Sequence, residues 1–147
     1  DAASYLKENG ITSYIKLQEH EKMKTRAYKN DIGKHYNMEK CTDGDGVYFR
    51  CHDGRSLRHI RTEKHKQDGY TQTMEVYGCA DCSGCCHKDK CLYKYDAGRD
   101  ADKNKVMKIN ETWEALKAES HRNINKYHRF LTGQLKEFEL KTESSAA

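Results

Sequence analysis

Six of the seven cysteines in this 147-residue chain fall within 41 positions, and five of those crowd into the run Cys79-Ala-Asp-Cys82-Ser-Gly-Cys85-Cys86-His87-Lys-Asp-Lys-Cys91, with Cys51 arriving from upstream. A Cys-x-x-Cys turn lets two thiolates reach one ion at about 2.3 Å, and Gly84 frees the backbone to bend around it. Two further ligands from elsewhere close a tetrahedron. Four thiolates, or three thiolates and an imidazole, leave no open position, which makes Zn2+ in a structural role the first choice. The preferred ligands are Cys51, Cys82, Cys85 and Cys91, with Cys79 as the main substitute and His52 or His87 as imidazole alternatives. Cys41 and Cys86 are expected to be free thiols.

Three rival readings of the cluster are weaker. The spacing Cys79-x-x-Cys82-x-x-Cys85 suggests an iron–sulfur cluster, but five residues separate Cys85 from Cys91 and the chain contains no proline. The bacterial ferredoxin run has a three-residue gap and a following Pro. A thioredoxin-like pair of Cys82 and Cys85 lacks the strand-to-helix junction that such pairs use. A purely disulfide framework would leave one of seven thiols over and needs an oxidising compartment.

The surroundings explain why a cross-link is needed. Gly clusters at 43–46, 53–54 and 68–69 separate the β-prone runs Val47–Cys51, Ser56–Ile60 and Tyr70–Tyr77, a pattern expected of a small antiparallel meander. Only 35% of the chain is hydrophobic, so the faces of such a meander are thin. The fold class expected is α+β: a zinc-stabilised, zinc-ribbon-like β meander between an N-terminal helix-strand remnant and C-terminal helices. The organisation expected is 1–40 as helix, strand and basic connector, 41–95 as the cysteine-rich insertion, 96–140 as a helical region and 141–147 as a disordered tail.

Before the meander, Ser4 to Gly10 reads as the end of a helix stopped by Asn9-Gly10, and Ile11–Ile15 as a short strand. The chain is expected to begin in the middle of a larger α/β layer. Residues 19–37 read as an exposed basic connector or marginal helix, in which Lys22, Lys24, Arg26 and Lys29 are the candidates for nucleic-acid phosphate contact. After the meander, Val106, Ile109, Trp113 and Leu116 recur at helical spacing, and Ile124, Tyr127, Phe130, Leu131, Leu135 and Phe138 predict a second helical stretch weakened by Gly133. Asn110 or Thr112 would cap the first.

Several classes of function are excluded by what is missing. No apolar run approaches the roughly 20 residues of a transmembrane helix, so no membrane partner is expected. No secretory signal opens the chain, and with a reducing compartment for the thiols this points to the cytoplasm. There is no Gly-rich phosphate loop, His-Glu-x-x-His pair or nucleophile elbow. Asp31, Asp43, Asp45, Asp53 and Asp81 lie in turn contexts, where Asp is favoured for backbone reasons. A net charge of +4 permits a polyanionic partner without demanding one.

Taken together, YLKENGITSYIK over 5–16, EKMKTRAYKNDIG over 21–33, Asn37-Met38, YFRCHDGRSL over 48–57, VYGCADCSGC over 76–85 and Lys90-Cys91 resemble bacterial insertion-sequence transposases of the DDE type. The cysteine-rich part is similar to the insertion those enzymes carry between their second and third catalytic carboxylates. The resemblance implies a ribonuclease H-like parent enzyme in which three acidic residues bind two Mg2+ ions for in-line attack on a phosphodiester. It implies transposon-end DNA as partner and a possible homodimer through the parent enzyme. It also places the second carboxylate just upstream of the helix holding Tyr5, and the third as a Glu soon after Ile124. Cys86 stands where the family usually has Pro, and from Asn125 onward the sequence departs from the family, so neither Glu137 nor Glu139 takes the third role. The expectation is a zinc-binding transposase fragment, Mg2+ belonging only to the complete enzyme, with no catalytic residue assigned. A stand-alone zinc-ribbon module that binds nucleic acid or protein is the alternative. An active nuclease would require Asp1 and a C-terminal Glu to converge.

Overall fold

The computed structural model describes residues 2–146, and side chains for 5–134. Contacts divide the chain into two compact units, 1–20 with 113–147 and 21–112.

The larger unit is built on a five-stranded antiparallel meander, β1 (Glu39–Asp43), β2 (Gly46–Arg50), β3 (Ser56–Gln67), β4 (Tyr70–Cys79) and β5 (Val106–Ile109), in the spatial order β1-β2-β3-β4-β5. Sequential neighbours pair, so no crossover is needed, and short turns suffice between the first four strands. The meander read from the Gly-separated runs is therefore present. It gains strands at both ends, and β3 and β4 extend into a long polar hairpin arm.

One inward face carries the core of Phe49, Leu57, Tyr77, Cys79, Met107 and Ile109, against which Met38, Val47, Cys51 and Cys82 pack. Leu57 is fully buried, and its burial is worth about 1.5–3 kcal/mol. Phe49 meets Tyr77 edge-on, with ring centroids 5.0 Å apart. This core is small, and its last members are themselves cysteines.

Val106 and Ile109 do not begin a helix. They lie in β5, where Met107 and Ile109 are buried and Val106 and Lys108 exposed, and Tyr77 pairs with Met107 and Glu75 with Ile109. A spacing of three satisfied the helical reading, but the alternation is that of a strand.

Before the sheet, α2 (Glu19–Lys22) and α3 (Arg26–Asn30) are two short helical turns within the stretch read as a basic connector or marginal helix. The Thr25 hydroxyl caps α3 by accepting from Tyr28 N. Tyr28 stacks on Tyr36 at 4.1 Å, and Asn37 Nδ2 donates to the Tyr28 and Asp31 carbonyls.

In the smaller unit, α1 (Ala2–Glu8) ends as expected, with Gly10 N donating to Lys7 O and Ile11 N to Leu6 O. Ile11–Ile15 is not a strand. Among the described residues no strand pairs with it, and two of its carbonyls are taken by the long helix α5 (Glu111–Ala146): Asn123 Nδ2 donates to Ser13 O and Ser120 Oγ to Ile15 O. Backbone groups must find partners, and these side chains supply them. The two expected C-terminal helices are one continuous α5, which runs through Gly133. Leu116, Ser120 and Ile124 form its buried stripe, whereas Tyr127, Phe130 and Leu131 are exposed. The side chains of Leu135, Phe138, Glu137 and Glu139, and all of Asp1 and Ala147, lie outside the described residues, while the backbone of 141–146, where a tail was expected, continues α5.

A candidate metal centre beside a lysine-lined cavity

The five cysteines named from spacing converge. Cys51, Cys79, Cys82, Cys85 and Cys91 line one cavity of about 20 Å³, together with Arg55, Leu57, Lys88, Leu92 and Lys105. That volume holds one water-sized occupant. Cys51 follows β2, Cys79 ends β4, Cys82 and Cys85 sit on the loop after it, and Cys91 closes the short helix α4 (Lys88–Cys91). Gly84, between the two loop cysteines, has φ +66°, the left-handed conformation a tight Cys-x-x-Cys turn demands. No cysteine of the chain is in a disulfide.

Residues that spacing does not single out hold this arrangement. Arg55 Nη1 donates to the carbonyls of Asp81 at 2.9 Å and Ser83 at 2.8 Å, fastening the cysteine loop to the β2–β3 turn. Asn104 accepts from Cys82 N and donates to Ala80 O. Lys105 touches three of the cysteines: its N donates to Cys82 Sγ at 3.3 Å, its carbonyl accepts from Cys79 N, and its Nζ donates to Cys91 O at 2.8 Å. An N–H aimed at sulfur favours the thiolate. Lys88 is buried, and its ammonium bonds the Ala101 carbonyl. Nothing in the local sequence marks these residues, because every contact crosses a turn or a strand.

The thiols are not equivalent. Burial pushes the Cys79 thiol up to about 11, and neighbouring Cys82 and Cys51 push the same way. Cys79 is 8% exposed, its Sγ donates to Asp81 O at 3.2 Å, and it packs in the sheet core. Burial also raises Cys91, opposed by the Lys105 ammonium and assisted by Cys51, Cys82 and Cys85. Thiols that raise one another's pKa gain most from a shared cation, which removes their protons and repulsion together. The cavity size and donor type suit a single thiophilic ion, although among the described residues no three of these sulfurs stand within 4.8 Å of one another, so the thiolates would have to close around it.

His52 and His87 do not line this cavity. Their rings meet edge-on at 4.6 Å, and His87, Cys86 and Asp53 bring ligand atoms within 4.8 Å of one another. Cys41 lies in β1 and donates to Glu39 O.

Lys105 and Cys91 also border a second cavity of about 200 Å³, lined by Asp31, Gly33, Lys34, Lys90, Leu92, Tyr93 and Lys94. Four lysines and a single aspartate therefore line one space. Burial lowers the Lys105 pKa and Cys91 opposes that shift. The basic residues expected to meet phosphate, Lys22, Lys24, Arg26 and Lys29, are exposed on α2, α3 and the turn between them, and Lys24 pairs with Glu21 at 3.2 Å.

The turn carboxylates serve the fold. Asp43 takes both guanidinium nitrogens of Arg58, and Asp81 Oδ1 accepts from Ser83 N. Among the described residues no three carboxylates bring their oxygens within 4.8 Å, so a two-Mg2+ centre does not fit them and no step through Mg2+ is derived. Among them, too, no helix is long and apolar enough to cross a membrane.

Comparison with known proteins adds one finding. A family described as "Transposase DDE domain" matches residues 50–137, more than half of the chain, spanning the cysteine cavity, β3 to β5 and most of α5, and so runs past Asn125, where the sequence was expected to depart from the family. No curated protein and no solved structure matches.

Proposed function

This chain belongs to the transposase DDE domain family, and from that premise we propose that residues 41–95 are a zinc-held insertion that assists DNA binding during transposition. The observation that carries the reading is the convergence of Cys51, Cys82, Cys85 and Cys91 on a cavity of one-ion size, whose outer wall, through Cys91 and Lys105, is shared with a cluster of four lysines.

The ligand set proposed is Cys51, Cys82, Cys85 and Cys91. Cys79 is the substitute, because its high pKa and its place in the core suit a neutral packing thiol. A bound Zn2+ would tie the β2–β3 turn, the loop after β4 and α4 into one rigid knot. Lys34, Lys90, Lys94 and Lys105 would then hold a fixed geometry toward a phosphodiester backbone, with Lys22, Lys24, Arg26 and Lys29 adding exposed charge. The described residues supply no catalytic carboxylate set, so strand transfer is assigned to the complete parent enzyme with its Mg2+. Family membership supports this reading over a stand-alone zinc-ribbon module.

The test is elemental analysis of protein purified without added metal, paired with thermal unfolding before and after a strong chelator. About one tightly held zinc per chain, lost together with a large part of the melt, is expected. A metal-free protein with a cooperative melt that added zinc does not raise would overturn the zinc site.

A further inference from the structure

Spacing predicts a free thiol at Cys86 and offers His52 and His87 as imidazole alternatives for the thiolate cavity. In the structure these residues gather elsewhere. Asp53 lies at the tip of the β2–β3 turn, which Gly54 N closes on Cys51 O at 2.9 Å. Cys86 and His87 lie on the loop entering α4, where the His87 carbonyl accepts from Cys91 N at 2.9 Å. Although these turns are more than thirty positions apart in sequence, the carboxylate, the thiol and the imidazole bring ligand atoms within 4.8 Å of one another. Arg55 holds them in register, since its Nε takes Asp53 Oδ2 at 2.8 Å while its Nη1 takes the Asp81 and Ser83 carbonyls. One Asp53 oxygen remains clear of that bond. The His52 ring stands 4.6 Å from that of His87.

We infer that Asp53, Cys86 and His87, with His52 beside them, form a second metal site for a divalent transition-metal ion of the zinc class, distinct from the thiolate cavity. Donor atoms around a tetrahedral zinc, with bonds of about 2.0–2.3 Å, stand about 3.5 Å apart. Separations of at most 4.8 Å lie within about 1.3 Å of that spacing. A mixed sulfur, nitrogen and oxygen set selects zinc-like ions over Mg2+, which takes all-oxygen coordination. Asp53 and Cys86 are exposed and His87 half-buried, so the ion enters from solvent and three protein ligands leave one position open. This site is expected to be weaker and faster to exchange than a closed four-thiolate site. The pair Cys85-Cys86 would thus divide its sulfurs between two ions, with Cys85 on the cavity and Cys86 on the surface.

Zn2+ titration of the full, metal-free chain by calorimetry tests this, with the melt of each metal-free variant compared with the parent chain. Two equivalents are expected, the second weaker. Cys86→Ser and His87→Ala each remove the second equivalent and keep the first. With Co2+ as probe, the sulfur-to-metal absorption added by the second equivalent vanishes in Cys86→Ser. Cys82→Ser weakens only the first, so failure of the thiolate site is read separately. A second equivalent that survives both variants, a lone equivalent that survives Cys86→Ser, or loss of both equivalents in Cys86→Ser would each overturn the inference; a lone equivalent lost in Cys86→Ser and kept in Cys82→Ser upholds it and overturns the thiolate site instead.

Discussion

At the residue scale, the cavity depends on side chains of opposite habit placed side by side. Cys79 is a core residue carrying sulfur, whereas Cys82 is half-buried with a backbone N–H aimed at its Sγ. Cys82→Ser is therefore expected to lower zinc content well below one per chain, and Cys79→Ser to keep the metal while lowering the melting temperature; elemental analysis beside a melt separates the two. Gly33 is a second sensitive point. A Cβ on it would stand 2.5 Å from Cys91 O, the carbonyl that also receives Lys105 Nζ. The contact is with backbone, so it does not relax by rotation. Gly33→Ala should weaken zinc retention against a competing chelator, and retention equal to that of the parent chain would show that Cys91 is not a ligand. Cys79, Cys82 and Cys85 stand together because Cys-x-x-Cys geometry is local, whereas Cys51 reaches the same cavity only once the strands are paired. Arg55, Asn104 and Lys105 were not legible in the sequence, because they act only once distant strands are adjacent.

At the element scale, the long β3–β4 arm is held by polar rather than apolar contacts. Glu63 on β3 reaches across β4 to Lys108 on β5 at 2.6 Å and also bonds Arg61 and His65. Lys108, foremost, and then Arg61 hold the Glu63 carboxyl down, to about 2 from an ordinary 4.5. A depressed folded-state pKa gives stabilisation that is complete above the unfolded value and is lost as pH falls toward the folded one. The melting difference between the parent chain and Glu63→Gln is thus expected to be full above about pH 4.5 and to fade toward pH 2, and to shrink with added salt because the group faces water. A difference independent of pH would sink this account. The Gly-bounded strands were readable since period and turn chemistry agree there. Val106–Ile109 was misread because four residues fit both a helical and a strand period, and only pairing with β4 decides between them.

For the whole molecule, the DNA reading makes a quantitative claim. Each lysine that neutralises a phosphate contributes about 0.9 to the slope of log affinity against log salt. Replacing Lys34, Lys90 and Lys94 by Ala should flatten that slope by about 2.7 for duplex DNA. An unchanged slope would move the contact to Lys22, Lys24, Arg26 and Lys29, or away from both. What the sequence determined by itself was local: the Cys-x-x-Cys turn around Gly84, the Gly-separated meander, the helix end at Asn9-Gly10 and the family kinship carried by its motifs. Tertiary structure alone decided which distant groups meet. It drew the Ser13 and Ile15 carbonyls onto helix side chains instead of a neighbouring strand, and gathered four lysines around one cavity. It also placed Cys51, Cys79, Cys82, Cys85 and Cys91 around one cavity and gathered Asp53, Cys86 and His87 into a separate cluster. The reason is physical: turns and periodicities follow from neighbours along the chain, whereas a cluster of like charges or thiols forms only where burial and backbone pairing elsewhere offset its repulsion.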